Sequence, residues 1–289
     1  MDVRSFVDRL LAFPPVDFLL AVLDRYGKAP GGLLANGLAF AALFAALPTT
    51  LLVLGIAGWL VSDPAFQAEL AERLGDIFPP LSDLFDDALA AVSEGAGVTS
   101  IIGLVGLLWG VTQFYATLDL AFSRIFRDAP ERDFARRTLR GFVWVLLLVG
   151  SVLIVVVVAG LTSFVDAIQP AEEGALRPVR SLIASPLTMF LLGVAVVAVA
   201  YRVLPPRSPS WRSILPAAIF VGIAVTLLTQ LFTLLVPFLV GAAAIAGSLA
   251  AAFIALAWLS FSFQALLYGA AWVSVVESRR TAAIEEREP

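Results

Sequence analysis

Cysteine and histidine are both missing from the 289 residues of this chain. Without thiols there is no disulfide framework, no thiolate nucleophile and no Cys/His zinc centre. Without imidazole there is no Ser-His-Asp triad and no side chain that ordinarily changes charge near neutral pH. Charge is scarce as well: 15% of residues are Asp, Glu, Lys or Arg, and the net charge is -4. Nucleic-acid binders normally carry a basic surplus, so nucleic acid is not an expected partner. The Gly-x4-Gly-Lys-Ser/Thr loop that cradles nucleotide phosphates is also absent, which argues against direct use of ATP. No cofactor, no metal site and no enzymatic activity is expected.

What is present is apolar surface. Hydrophobic residues make up 60% of the chain, and mean hydropathy is +0.93. Soluble domains are nearer half apolar and about a quarter charged. Runs of twenty or more apolar residues recur along the whole length, so the predicted fold is an all-α, polytopic membrane protein. Six transmembrane helices are expected, at about 33–61, 98–123, 139–166, 182–203, 213–239 and 246–276. Pro48 falls mid-span in the first and should kink it. The third is nearly pure Val and Leu and should face lipid. The sixth exceeds the roughly 20 residues a span needs, so it should tilt or protrude.

The chain is predicted to divide into surface helices over 1–32, a membrane domain over 33–276 and a charged tail over 277–289. Two short amphipathic helices flank Pro14 and Pro15. In the second, Val16, Leu19, Leu20 and Leu23 share a face, with Asp17 and Asp24 away from it. The paired prolines, scattered acids and missing cleavage site argue against a signal peptide. The longest stretch between spans, 62–97, reads as an outer-face helical hairpin. Phe66, Leu70, Leu74 and Ile77 form one apolar face, and Leu81, Leu84, Phe85, Ala88, Leu89 and Val92 the other. Asp83, Asp86, Asp87 and Glu94 sit off that second stripe and read as a solvated face.

Basic residues set the orientation. Arg4, Arg9, Arg25 and Lys28 share a side with Arg124, Arg127, Arg132, Arg136, Arg137 and Arg140. Arg202, Arg207, Arg212, Arg279, Arg280 and Arg287 join them, sixteen in all. Only Arg73, Arg177 and Arg180 fall on the other side. Both termini of this multi-pass protein are therefore expected in the cytoplasm. Arg124, Arg127, Arg136, Arg137, Arg202, Arg207 and Arg212 are candidate contacts for anionic lipid headgroups, at about 1 kcal/mol each near the surface.

The polar residues inside the spans are unevenly spread. The stretch LLWGVTQFYATLDLAFSRIF starts like a span, then carries Thr112, Gln113, Tyr115, Thr117 and Asp119 before Arg124. At 100° per residue, Thr112, Ala116, Asp119 and Ser123 share a face, with Tyr115 at its edge. In the fifth span Gly222, Thr226, Thr229, Gln230, Thr233 and Pro237 lie within about a third of the circumference. The sixth adds Ser260 and Gln264, one turn apart, and Tyr268. Asn36, Thr49 and Thr50 are the main polar residues of the first. Such faces should not see lipid. Either they pack helix against helix, as hydroxyls commonly do in membranes, or they line a polar path. Asp119 needs a partner or water in either case, because an ionised carboxylate at depth costs several kcal/mol. It also lies close enough to the basic end to pair with an arginine. Spans two and five are the middle members of two inverted three-span halves, an arrangement that transporters use. Trp59, Trp144, Trp211 and Trp272 suit an interfacial belt, and Trp109 and Trp258 read as deeper packing residues.

Several segments resemble the YihY/virulence factor BrkB family of bacterial inner-membrane proteins, once labelled ribonuclease BN. LAFAALFAALPTTLLVLG is similar to that family's first span, with Pro48 as its proline. GLLWGVTQFYATLDLAFSRIF is similar to the second, with Trp109, Arg124, Ile125 and Phe126. YRVLPPRSPSWRSILPAA matches at Tyr201, Arg202, Leu204, Pro205, Arg207, Trp211, Arg212 and Pro216, and the last span at Gly247, Trp258, Leu259 and Gly269. The likeness covers roughly residues 30 to 276. It rests on the order and spacing of these segments rather than on any one motif. The family's last span often ends Gly-Ala-Glu, whereas this chain reads Gly269, Ala270, Ala271. Metal-dependent RNA hydrolysis needs clustered His or carboxylate ligands, so a nuclease is disfavoured. The resemblance implies an inner-membrane protein that moves a lipid-like or small amphipathic molecule. The substrate-path candidates are Thr112, Gln113, Tyr115, Asp119, Thr226, Thr229, Gln230, Thr233, Ser260 and Gln264, in a groove between spans two, five and six. The alternative is a non-transporting scaffold that binds a protein partner or a second copy of itself; membrane lipids are partners in both.

Overall fold

The computed structural model describes residues 14–60, 72, 97–126, 185–242 and 248–285. Among them are six helices and no strand: α1 (Pro14–Lys28), α2 (Gly31–Leu60), α3 (Gly97–Ile125), α4 (Pro186–Val203), α5 (Trp211–Ala242) and α6 (Ser248–Glu285). The segment 139–166, nearly all of the outer hairpin at 62–97, the first surface helix before Pro14, and Trp59 and Trp144 as side chains lie outside the described residues. Of the described helices, α5 and α6 are long and apolar enough to cross a membrane. The bent pair of α1 with the first half of α2 adds a third if taken as one span. The all-helical membrane fold is as expected.

Local chemistry is visible along several helices. Pro14 and Pro15 lie in the first described turn of α1. The Ser185 side chain accepts from the Thr188 amide at 3.2 Å and caps α4, with Pro186 next. α2 stays helical through Pro48. A sharp bend precedes α2, with 61° between Pro14–Lys28 and Gly31–Ala46. Gly31 permits it: a Cβ there would lie 2.3 Å from the Tyr26 ring.

α2 packs along α3 and along α6, and α5 packs along α6 and α4. α6 is thus shared by the two pairs. Its sequence suits that place, since Ala255, Leu267, Ala270, Ala271, Val273 and Val275 are all buried. It does not stop at 276 but continues to Glu285. The main core gathers Val22, Leu38, Phe122, Ile125, Tyr201, Ile214, Val221 and Leu267 from all six helices. A smaller cluster of Ala39, Phe232, Trp258 and Leu259 ties α2, α5 and α6.

Tyr201 is the tightest point of the main core. It is fully buried, and its hydroxyl donates to the Leu266 carbonyl at 2.6 Å. Gly269 makes room for it, since a Cβ there would lie 2.2 Å from Tyr201 Oη and 2.5 Å from Val221 Cγ2. Two residues on, Ala271 is fully buried. In this packing a carboxylate at that position would be desolvated.

α1 docks on the bundle by a second face that the sequence did not single out. Its Val16, Leu19, Leu20 and Leu23 face was read as the apolar one. The bundle receives Phe18, Ala21, Val22 and Tyr26, while Leu19, Leu20 and Leu23 are exposed. The aromatic residues decide the docking: Tyr26 stacks on Tyr268 at 3.9 Å and Phe18 meets Trp272 edge-on at 5.1 Å. α1 therefore carries two apolar faces.

Candidate functional site

The polar side chains fall into two sets, one at the end of the bundle where α6 runs out and one deep along α2, α3, α5 and α6. At the first, Ser210 is the residue before α5 and Ser213 lies in its first turn. In an ordinary capping box the residue three past the cap is Glu or Gln and reaches back to the cap amide. Here that position is Ser213, and the carboxylate comes from α6. Glu277 Oε1 accepts from the Ser210 amide at 2.9 Å, from Ser210 Oγ at 2.8 Å and from Ser213 Oγ at 2.6 Å. Arg280 Nη1 donates to Ser210 Oγ at 3.0 Å. A carboxylate at a helix N-terminus also meets the favourable end of its dipole.

Glu277 follows the apolar run that was read as ending at 276. Partial burial pushes its carboxyl upward. The bonds from Ser213 and from the Ser210 amide and hydroxyl, with the Arg280 charge, outweigh burial and hold it below the usual 4.5. Beside it, Arg202 Nη1 donates to the Pro209 carbonyl, and its guanidinium lies 5.7 Å from the exposed Trp211 ring. Arg279 pairs with Asp17 at 2.8 Å and covers Phe18 at 5.5 Å. Ser274 donates to the Ile125 carbonyl at 3.2 Å and ties α6 to α3.

Of the arginines expected to meet headgroups, Arg202 is thus engaged in holding the 204–210 turn. Arg124, Arg207 and Arg212 are exposed and make no ion pair among the described residues. Arg127, Arg136 and Arg137 lie outside the described residues.

The deep set is organised differently. Thr117 donates to the Gln113 carbonyl at 2.9 Å, Thr226 to the Gly222 carbonyl at 2.8 Å and Thr233 to the Thr229 carbonyl at 2.9 Å. Each hydroxyl is satisfied by its own helix one turn back, so none needs a cavity. The face of α3 that was expected to be sheltered is the open one. Thr112, Ala116 and Ser123 are exposed and Asp119 is half-buried, while Leu118, Ala121, Phe122 and Ile125 pack inward. The apolar stripe wins the contact because small Ala121 lets α3 approach and Phe122 fills the core. Thr112, Tyr115 and Asp119 each have an interaction partner. Trp109 is also exposed, its ring edge-on to Phe44 at 6.2 Å, whereas Trp258 is buried as expected.

α3 and α5 do not pack extensively on each other; both lie on α6. Two contacts join polar side chains across the described helices. Trp258 Nε1 donates to Thr229 Oγ1 at 3.3 Å, joining α6 to α5. Gln264 Nε2 donates to Ser260 Oγ at 3.3 Å, and Ser260 Oγ donates to Asn36 Oδ1, joining α6 to α2. Asn36 was seen in the sequence as polar at depth but not placed on the path. Nothing in a single sequence says that a first-span residue meets one 224 positions later. The amides of Gln113 and Gln230 are exposed, with no side-chain partner among the described residues.

Comparison with known proteins bears on this arrangement. A family model described as virulence factor BrkB matches residues 22–289. A protein named UPF0761 membrane protein from Methylibium petroleiphilum is 26% identical over 223 residues, 76% of this chain and 52% of that protein. Another of that name, from Glaesserella parasuis, is 22% identical over 218 residues, 74% of this chain and 76% of its own length. The chain thus spans about half the length of the first relative and three quarters of the second. No solved structure matches it. With the family match covering nearly the whole chain and its long apolar helices, the protein belongs to the virulence factor BrkB family of integral membrane proteins.

Proposed function

We propose that this protein moves a lipid-like or small amphipathic molecule across or within the bacterial inner membrane, with both termini in the cytoplasm. The observation that carries the reading is the pair of exposed amides, Gln113 on α3 and Gln230 on α5. Thr hydroxyls at depth satisfy themselves; a Gln amide does not. Left in hydrocarbon it loses its hydrogen bonds at a cost of several kcal/mol. Water or a cargo headgroup would relieve that cost while apolar tails stay in lipid. Asn36, Ser260, Gln264 and Thr229 supply further polar contacts along α6. Arg124, Arg207 and Arg212 would meet anionic headgroups at the cytoplasmic surface, within a Debye length of it.

The test is headgroup flipping of labelled phospholipid in proteoliposomes, wild type beside Gln230→Leu and Asp119→Asn. The expected result is flipping that requires the protein and falls in either variant. No flipping above empty liposomes, with the protein folded and inserted, would remove constitutive scrambling. The missing cysteines give a second check. Single cysteines at Thr112, Tyr115, Thr226 and Gln230 should react with soluble thiol reagents. If all four were inert, no water path would exist there, and the scaffold reading, with a protein partner or second copy covering the amides, would take its place.

A further inference from the structure

We propose that the Asn36–Ser260–Gln264 cluster recognises an uncharged, hydroxyl-bearing group on an otherwise apolar molecule. The three side chains form a directed chain, Gln264 to Ser260 to Asn36. Its two ends have capacity left. Asn36 Nδ2 donates to nothing and Gln264 Oε1 accepts from nothing among the described residues. One end offers donors and the other an acceptor. A hydroxyl, which both donates and accepts, satisfies both. A phosphate offers acceptors only and an ammonium donors only, and each brings a charge that must be matched at depth.

Neither helix that bears the cluster supplies such a match. α2 has no charged residue, and α6 has none from Ser248 to Val276. Glu277 lies thirteen residues beyond Gln264, about 20 Å along the helix axis, and is already engaged by Ser210 and Ser213. Asp119, on α3, already has a partner. Ser260 lies twelve residues from Trp272, about 18 Å along α6, close to half the thickness of a bilayer.

The surroundings suit an apolar body. Leu33, Asn36 and Phe40 follow one another along one face of α2, and all three are exposed. On α6, Phe261 beside Ser260 and Phe253 two turns earlier are exposed as well. The polar chain is thus set in an apolar collar open to its surroundings. It would hold a sugar or glycerol hydroxyl while acyl chains lie on Leu33, Phe40 and Phe261.

The inference deepens the transport reading and rests on it for the use to which the contact is put, so two readouts separate them. Purified full-length protein in detergent is titrated with monoglucosyl diacylglycerol or with phosphatidic acid of the same acyl chains, and bound lipid is counted by native mass spectrometry. Asn36→Leu and Gln264→Leu should weaken retention of the glucolipid by about tenfold and leave phosphatidic acid, which the exposed arginines attract, unchanged. Ser260→Ala, smaller and milder, should weaken the glucolipid in the same direction if either Leu variant fails to fold. Equal losses for both lipids, or no loss for either, would overturn the proposal. Flipping assayed on the same preparations is the second readout. Flipping without the headgroup-selective loss sinks the polar chain and spares transport. Selective loss without flipping upholds the chain and removes constitutive scrambling.

Discussion

At the end of the bundle where α6 runs out, polar groups join one helix to another. Glu277 binds the start of α5, Ser274 binds the end of α3, and Arg279 binds Asp17 of α1. Deep along α3 and α5 the hydroxyls turn back on their own helices and the glutamine amides stand exposed. The same residue types serve opposite ends. Where water competes, a polar contact is worth little alone, and the bundle gathers several on one carboxylate. Where lipid surrounds the helix, a hydroxyl satisfied locally is nearly silent, and an amide left over becomes informative. The first region holds the fold; under the proposed function, the second is where a cargo would find polar contact.

The contrast breaks most easily at Tyr201. Gly269→Ala places a methyl group 2.2 Å from Tyr201 Oη and 2.5 Å from Val221. Overpacking of this kind costs about 1–3 kcal/mol, so the variant should melt well below wild type in detergent or fail to elute as a single species. Adding Tyr201→Phe removes the closest clashing atom and should recover part of the loss. A double-mutant cycle reads that coupling directly. If Gly269→Ala melted like wild type, the tied end would not be the rigid one.

Glu277→Ala is the next largest. It removes the acceptor shared by three donors and uncaps α5, for which about 2 kcal/mol is expected. Glu277→Gln keeps an oxygen acceptor and should lose less. The two separate further with pH. The folded carboxyl sits below the ordinary 4.5, so its stabilisation is full above that value and fades as pH falls through the folded one. The wild-type advantage over Glu277→Gln should therefore hold at neutral pH and shrink in acid. Arg279→Ala comes third, at about 0–1 kcal/mol, because its pair with Asp17 is exposed. Thermal unfolding of the three variants in one detergent gives the ranking.

Much of the tied end could not be read from the sequence. The apolar runs mark α2, α3, α4, α5 and α6 because twenty residues of Leu, Val, Ala and Ile leave few alternatives. Gly269 and Tyr201 stood out through the family resemblance, but their contact crosses helices and has no local period. Ser210, Ser213 and Glu277 look like an interrupted capping box and a tail acid, and the sign that they belong together lies 67 residues apart. In α1 the leucine stripe Leu19, Leu20 and Leu23 was legible as an apolar surface face, but the docking of Phe18 and Tyr26 was not, because their ring partners lie on α6. At depth the polar residues were legible by type and by face. Which faces pack was not, because the choice rests on small Ala121 and on neighbours from distant helices.

The smallest effect on stability is the one that sharpens the comparison most. Thr226→Val removes a hydroxyl that bonds only its own helix, and Gln230→Leu removes an amide that bonds nothing among the described residues. Both should melt within about 0.5 kcal/mol of wild type, and Gln230→Leu could gain slightly, since an exposed amide gives way to an apolar side chain. Their activities should part company. Thr226→Val should flip lipid as wild type does, because its hydroxyl is already satisfied, while Gln230→Leu should lose flipping with its fold intact. If Gln230→Leu instead fell apart in detergent, the amide would be holding a second copy or another helix, and the deep region would be structural like the tied end. Melting measured beside flipping on the same two proteins therefore decides whether the two regions differ in purpose or only in how their hydrogen bonds are arranged.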